Sequence, residues 1–438
     1  MKRKILLTTV FIGFLITLGV YFWSGYVNTN QARINKIFDL TRKMRCAPEG
    51  EKQDVKADYI KKIEDYIKKI ENLLVDYTVE NDIKKTIKHF LYKTVGLQIN
   101  EADIQESSDA SQRGLSGNPL LFIPDKKGNL KLVIKIFHKP FDLAGHFIKE
   151  IAGFQITSTM KGEKFHLISI KAIGKCKIDG KEYGLLAISP AAGISLQGLL
   201  TKLFFMPKGS VERVNMLLVV KRAFEKLGAA LAEFHNIRVQ KNVPLHSAVM
   251  KRARRHFKST IEQLKDGDYG VDSQDLQKYF DDLAGRMEKV KTTRSIVHGD
   301  ANLGNYLYDQ KTDTLSLVDY YALHRVADQE GNPIWHAAFD FMNVLDAITI
   351  GKEFGFSEQE CAVARDAFIK GYGAVPTRLE QEFFALVCRL RLIRCFLMKE
   401  KKDSERFADE KTKVIFRFRL GEIKKSLLKF KEKGCVHD

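Results

Sequence analysis

At 438 residues, with 45% hydrophobic and 10% aromatic side chains, the chain has the composition of a globular protein of two or three compact units, not of a disordered one. Its 72 lysines and arginines against 54 acidic residues give a formal charge of +18, which favours a nucleic acid, an anionic surface or a polyanionic substrate but specifies no fold. There is no RNA-binding aromatic signature and no zinc-finger spacing, so nucleic acid is not expected as a partner.

Lys2, Arg3 and Lys4 precede Ile5 to Trp23, a run of 19 residues without a charge. At about 1.5 Å per residue such a helix crosses a hydrocarbon core of roughly 30 Å. The run is longer than the core of a cleavable signal and shows no small-residue cleavage pattern. Residues 1–32 are therefore expected to be an uncleaved signal anchor rather than a cleaved signal peptide, making the chain a single-pass membrane protein held through residues 5–23. Arg33, Lys36, Arg42 and Lys43 follow the span and weaken the charge asymmetry, so the side of the membrane stays open.

Residues 33–100 read as a helical linker or cap. Ile60, Ile63, Ile67, Ile70 and Leu74 recur at spacings of 3 and 4, a single helical stripe. Two readings compete for residues 54–97: a short coiled coil or helical hairpin that spaces the following domain from the membrane or joins two copies as a homodimer, and a cap packed on that domain. The stripe covers barely two heptads, which favours the cap.

From Glu101 the composition turns to Ser, Gly, Asp and Asn. Ser116, Gly117 and Asn118 lie in a small-residue loop before the strand Leu120 to Ile123, where backbone N–H groups can approach phosphate oxygens. Lys135 is the one charge within the apolar strand Leu132 to Phe137, and a charged side chain is rarely buried without a partner. Asp142 to Met160 reads as a helix behind that strand. Its Glu150 is either the partner of Lys135 or one more solvated charge. His166 to Ile173 and Tyr183 to Ser189 read as a strand pair closed by Lys177 to Lys181. After Ile188, Pro190 and Gly193 break the second strand, leaving connector backbone to pair with an adenine edge.

The remainder is mainly helical. Lys221 to Asn236 buries one face and ends in His235, read as a satisfied structural histidine. His246 to Leu264 carries the cluster Lys251, Arg252, Arg254 and Arg255, which is either a solvated face or an anion site. Ile334 to Ile350 is an apolar core helix interrupted by Asp340 and Asp346, and a buried Asp340 needs hydrogen bonds from the nearby polar loop. In the apolar run Phe383 to Met398, Cys388 and Cys395 are seven apart and read as core residues; the six cysteines form no CxxC pair. Lys411 to Lys433 closes the chain with a basic helix.

Between these helices stands Ser295 to Tyr320, a polar loop followed by a hairpin with strands Asn305 to Asp309 and Thr314 to Asp319. In an antiparallel hairpin the start of one strand lies beside the end of the other, so Asn305 and Asp319 face each other near Asp300. Three oxygen-bearing side chains at one point suit Mg²⁺ together with a nearby base.

His298-Gly299-Asp300-Ala301-Asn302-Leu303-Gly304-Asn305, followed by Val318-Asp319-Tyr320, resembles the aminoglycoside phosphotransferase and choline kinase group of the protein-kinase-like fold. The pattern there is HGDxxxxN and then an aspartate in the place of the kinase DFG aspartate. The resemblance runs over roughly residues 101–398 and departs at Leu303, where related sequences often carry Pro, and in a nucleotide loop without a regular repeat of glycines. It implies an α+β, two-lobed kinase-like fold: a small antiparallel-sheet nucleotide-binding N-lobe over 101–190 and a mainly helical catalytic C-lobe over 191–438, behind the anchor and helical segment.

The resemblance also implies ATP and Mg²⁺ as cofactors and a hydroxyl-bearing acceptor. Asp300 would orient and deprotonate the acceptor, Asn305 and Asp319 would hold the metal, and Lys135 paired with Glu150 would fix the nucleotide phosphates. His298 and Asp340 would support the loop. The basic stretch Phe416 to Lys433 fits an anionic or membrane-linked acceptor better than a polycationic aminoglycoside. Two other classes remain: a catalytically silent kinase-like binding module and a membrane-tethered scaffold built on residues 54–97. The presence of the lysine and both aspartates argues against the silent module.

Overall fold

The structure, a computed structural model, describes residues 31–41, 53–79, 81–106, 119–125, 130–138, 140, 146–265, 269–328, 332–400 and 410–434. The chain divides into two compact units, residues 1–159 with 168–190, and residues 160–167 with 191–438.

In the first unit five strands form an antiparallel sheet in the order β1 (Gln105–Glu106), β2 (Leu120–Pro124), β3 (Leu130–His138), β6 (Lys181–Ile188), β5 (Ile170–Ile178). The β5–β6 hairpin turns through Asp179 and Gly180, both at positive φ, matching the two-residue connection that fits strand twist. Successive side chains of a strand point to opposite faces, and both faces of β3 are covered. Ile134 and Ile136 join a core with Tyr77 and with Ile87, Phe90 and Leu91 of α3 (Ile83–Val95). On the other face Phe137 meets Phe147 of α4 (His146–Thr157) with ring centroids 5.3 Å apart.

The N-terminal helices, residues 31–41 (α1), α2 (Gln53–Leu73) and α3, resolve the competing readings of the stripe. Ile67, Ile70 and Leu74 are buried within the chain, as in a packed cap, so this stripe gives no support to the homodimer expectation. The segment between α2 and α3 also pairs with β5, through Tyr77 N–H to Lys175 C=O at 2.9 Å and Lys175 N–H to Val75 C=O at 3.1 Å. A sheet edge is thereby covered.

The expectation of a single-pass membrane protein is corrected. No helix among the described residues is long and apolar enough to cross a membrane. Residues 5–23, on which that expectation rested, lie outside the described residues.

The second unit is mainly helical, with two small sheets: β4 (His166–Leu167), β11 (Thr314–Leu317), β10 (Tyr306–Asp309), β7 (Ile194–Ser195), and β12 (Trp335–His336), β9 (Lys291–Ser295), β8 (Val239–Pro244). Its helices are α5 (Leu196–Phe205), α6 (Val211–Asn236), α7 (Ser247–Lys265), α8 (Ser273–Lys289), α9 (Ala338–Thr349), α10 (Glu358–Tyr372), α11 (Arg378–Glu400) and α12 (Glu410–Gly434). Residues 338–344 of α9 are buried without interruption, as expected of a helix surrounded by others. Helices α6 and α10 cross closely because two glycines allow it. A methyl group on Gly371 would stand 1.9 Å from the Glu225 carbonyl oxygen, and one on Gly228 would stand 2.2 Å from that of Phe368.

Two sequence-level expectations change here. Cys388 is buried but Cys395 is exposed, so the pair is not jointly in the core. Within the basic C-terminal stretch Arg419 points inward and donates to Asp346 at 2.8 Å, balancing buried charge instead of adding to a basic surface.

Candidate active site

The hairpin forms with the expected turn and pairing, from Tyr306 opposite Leu317 to Asp309 opposite Thr314. Each strand is shorter at the open end than its sequence pattern indicates. Asn305 closes a 3-10 turn, Leu303–Asn305, that Asn302 caps by accepting from Gly304 N–H at 3.1 Å. Val318 N–H donates to Asn305 C=O at 3.0 Å, and Asp319 comes one residue later. Asp319 has φ 66° and ψ 73°, a left-handed conformation uncommon for a non-glycine residue. No hairpin turn accounts for it, unlike Asp179 and Asp313, and such backbone strain concentrates at functional positions.

The hairpin is fixed from its far end. Asp313 in the turn receives Arg222 through both oxygens at 2.9 Å, Lys226 at 2.8 Å and the Tyr308 hydroxyl at 2.8 Å. Arg222, bonded most strongly among these partners, draws the Asp313 carboxyl far below the usual carboxylate range.

The loop before the hairpin is held by Asp340 on α9. This carboxylate is wholly buried and accepts from the backbone N–H groups of both His298 and Gly299, the latter at 3.0 Å. His235 Nε2 stands 3.1 Å from the same carboxylate while its Nδ1 meets the Tyr372 hydroxyl at 2.8 Å. His298 is fully buried and its Nε2 lies 2.9 Å from the Val318 carbonyl oxygen, which ties the loop to the second strand. Gly299 has φ 77°, a conformation that a side chain would strain.

Asp300 emerges from this braced loop. Asn305 donates its amide N–H groups to the Asp300 carbonyl at 2.9 Å and to its carboxylate at 3.3 Å. On the other side Arg391 of α11 donates to the carboxylate at 3.3 Å and to the Gly299 carbonyl at 2.9 Å. Burial raises the Asp300 pKa above that of an ordinary aspartate; Arg391 opposes the rise, and the charge of Asp319 adds to it. Asp300, Asn305 and Asp319 are thus brought together, with His298 and Asp340 beneath them.

Arg391 is the site residue that sequence reasoning missed. Its signal was available: arginines inside the apolar run Phe383 to Met398 must find partners if buried.

In the first unit Lys135 Nζ meets Glu150 Oε1 at 2.8 Å, with the glutamate almost fully buried and the lysine largely so. This is the partner arrangement between strand and helix that the sequence left open. Ile188 is the last residue of β6, with Val133 opposite on one side and Ile170 on the other, and Ser189 N–H is bonded to Ser169 C=O. Any unpaired connector backbone therefore begins after Ser189. Ser116, Gly117 and Asn118 lie outside the described residues.

As a cation site, Asn305 and Asp319 supply hard oxygen atoms. Asn305 uses its amide N–H groups on Asp300, which leaves its amide oxygen for other partners. No group of three His, Cys, Asp or Glu side chains among the described residues forms a closed metal cage. Two protein ligands beside phosphate oxygens and water are what Mg²⁺ ordinarily takes in phosphoryl-transfer sites, so the donor set fits it.

Residues 195–326 match the sequence model of the phosphotransferase enzyme family, a segment that contains Asp300, Asn305 and Asp319. Over this segment the chain is similar to that family. No curated protein sequence matches the chain. Among solved structures, an ethanolamine kinase from Plasmodium vivax is 15% identical, with 88% of this chain and 96% of that one covered and a TM-score of 0.46. A GDP complex of aminoglycoside 2'-phosphotransferase-IIIa is 11% identical over 78% and 100% of the two chains, with a TM-score of 0.46. A choline kinase from Cryptosporidium parvum is 12% identical over 76% and 92%, with a TM-score of 0.42.

Proposed function

We propose that the chain is a kinase that moves the γ-phosphate of ATP, in the presence of Mg²⁺, to a hydroxyl group of its acceptor. The observation that carries this reading is the convergence of Asp300, Asn305 and Asp319 on one braced loop and hairpin inside the segment that matches the phosphotransferase family. Asp300 orients the acceptor hydroxyl and takes its proton as the new oxygen–phosphorus bond forms and the bond to the leaving ADP oxygen breaks. Asn305 and Asp319 hold Mg²⁺, which when bound neutralises charge on the phosphate oxygens. Lys135, kept extended by Glu150, binds nucleotide phosphates.

Phosphoryl transfer depends mainly on positioning and electrostatics, so each of these side chains has a distinct signature when removed. The test uses the full chain, measuring Mg²⁺-dependent ATP binding and turnover in parallel with Asp300→Ala and Asp319→Ala. The expected pattern is nucleotide binding by the parent, weakened Mg·ATP binding in Asp319→Ala, and retained binding with turnover lost by at least about a hundredfold in Asp300→Ala. A folded parent that neither binds nor turns over ATP would mean that the domain serves a binding role instead.

A further inference from the structure

The face of α7 that carries Arg252, Arg255, His256 and Ser259 follows the i, i+3, i+4, i+7 spacing of one helical surface. It packs beside α11, where Thr260 donates its hydroxyl to the Leu390 carbonyl at 3.1 Å. From α11, Arg394 donates to the Ser259 hydroxyl at 2.9 Å and lies 3.3 Å from His256 Nδ1. Arg391 is three residues before Arg394, about 4.5 Å along the helix axis, and binds Asp300. Two aromatic rings back the group: the Arg252 guanidinium lies 5.5 Å from the Trp335 ring and that of Arg391 5.5 Å from the Phe339 ring. Trp335 and Phe339 are both buried and touch each other, with centroids 4.7 Å apart. Four guanidiniums are therefore gathered on a rigid frame beginning at Asp300.

Their charge is unevenly matched. Arg391 has Asp300, but Arg394 is held by a hydroxyl and an imidazole, neither of them negative. Arg255 is exposed and meets no carboxylate among the described residues. Burial, followed by Arg252, Arg394, Arg391 and Arg255, brings the His256 pKa down to about 3. The imidazole is then neutral at physiological pH and accepts from Arg394 instead of adding a fifth positive charge.

Arginine is the side chain suited to planar recognition of phosphate and carboxylate. A neutral or cationic alcohol would leave Arg255 and Arg394 without an anionic partner among the described residues. Resting on the kinase reading above, we propose that the acceptor is an anionic alcohol, a hydroxyl compound already bearing a phosphate or carboxylate, and that Arg255 and Arg394 bind its anionic group while Asp300 faces the hydroxyl. The acceptor-charge determinant is then this α7–α11 cluster, not the C-terminal basic stretch, in which Arg419 is turned inward to Asp346.

The test uses the full chain and matched probes: glucose with glucose 6-phosphate, glycerol with glycerol 3-phosphate and with glycerate, and ethanolamine and glucosamine as cationic comparisons. Equilibrium binding is measured by calorimetry without nucleotide, and phosphoryl transfer with Mg·ATP. The anionic member of at least one pair is expected to bind about 10- to 100-fold more tightly than its neutral partner, the range for charge-assisted hydrogen bonds. Arg255→Glu, at an exposed position, and Arg394→Gln are each expected to remove about tenfold of that preference without changing Mg·ATP binding.

Equal or absent binding of the anionic members, preference for ethanolamine or glucosamine, or a preference unmoved by both substitutions would overturn the proposal. Mg·ATP binding on the same samples separates the two ideas. Nucleotide turnover without an anionic preference sinks only the acceptor assignment. Arginine-dependent binding of an anionic probe without any nucleotide binding sinks the kinase reading and keeps the anion site.

Discussion

Asp340 and Asp346 stand six residues apart on α9, both almost wholly buried, yet their charges are satisfied in opposite ways. Asp340 is met by dipoles: the N–H groups of His298 and Gly299, with His235 alongside. Asp346 is met by cations, two bonds from Arg389 of α11 at 3.0 and 2.8 Å and one from Arg419 of α12 at 2.8 Å. The first arrangement shapes a loop. The second clamps three helices together. One helix therefore serves the site at its first turn and the packing of its own unit at its third, and the two functions can be damaged separately.

The largest expected effect lies at the cationic end. Asp346→Ala would leave the buried Arg419 without its counter-charge and Arg389 with Glu422 alone at 3.5 Å, at a cost of about 3–5 kcal/mol in urea unfolding. Replacing the whole cluster, as in Asp346→Leu with Arg389→Met and Arg419→Leu, should restore most of that stability, because a buried ion cluster is often no better than well-packed apolar side chains. A single Asp346→Ala variant as stable as the parent would show that the clamp is not what joins these helices.

At the other end the loss should fall on catalysis. Asp340→Asn keeps the volume but removes an acceptor beneath the loop, with a stability cost of about 1–3 kcal/mol. Turnover should fall by about a hundredfold through misplacement of Asp300. Steady-state kinetics beside thermal melting would decide: a variant whose turnover falls no more than its folded fraction would place Asp340 in general packing alone.

A smaller effect is expected where charge is exposed. Asp313→Asn loosens the hairpin turn from α6, but Arg222 and Lys226 are substantially solvated, so the loss is about 1 kcal/mol or less. The sign with pH follows from a folded-state pKa below the unfolded one. This contribution is present above about pH 4 and is lost as the pH falls through the depressed value. Acid titration of the melting temperature in parent and Asp313→Asn should converge at low pH; a constant gap would exclude an ionic origin.

Much of the site was legible because its signals are local. Alternating apolar residues and a polar turn mark the hairpin, and a charge inside an apolar segment marks Lys135 and Asp340. Their partners were less accessible. Glu150 could be named but not chosen, because pairing depends on how α4 sits on β3. The membrane reading came from hydropathy in residues outside those described, and the dimer reading from a stripe that the chain buries against itself. Arg391, 91 positions from Asp300, was passed over because helical periodicity shows which face a residue shares but not what faces it. The arginine ring on α7 and α11 has the same origin: two basic clusters, far apart in sequence, become one only when the helices pack.

Arg391 also sharpens the contrast between dipole and charge, since it is the cation that meets the site's own carboxylate. Burial raises the Asp300 pKa and Arg391 holds the rise in check. The base proposed above acts in its ionised form, so under that proposal the acid limb of kcat/KM should lie above that of an ordinary aspartate in the parent. Replacing Arg391 with Met removes the opposing charge and keeps much of the stem that lies against Phe339. Asp300 should then take up its proton at a higher pH still, moving the acid limb upward, with the smallest relative loss of activity well above the limb. An Arg391→Lys variant restores a positive charge and should bring the limb part of the way back, although it cannot reproduce the simultaneous contacts with the Gly299 carbonyl and the Asp300 carboxylate. If Arg391→Met lowers kcat/KM equally at every pH, the arginine positions the loop without tuning its base. If the limb moves and lysine reverses the movement, charge is what α11 contributes to Asp300.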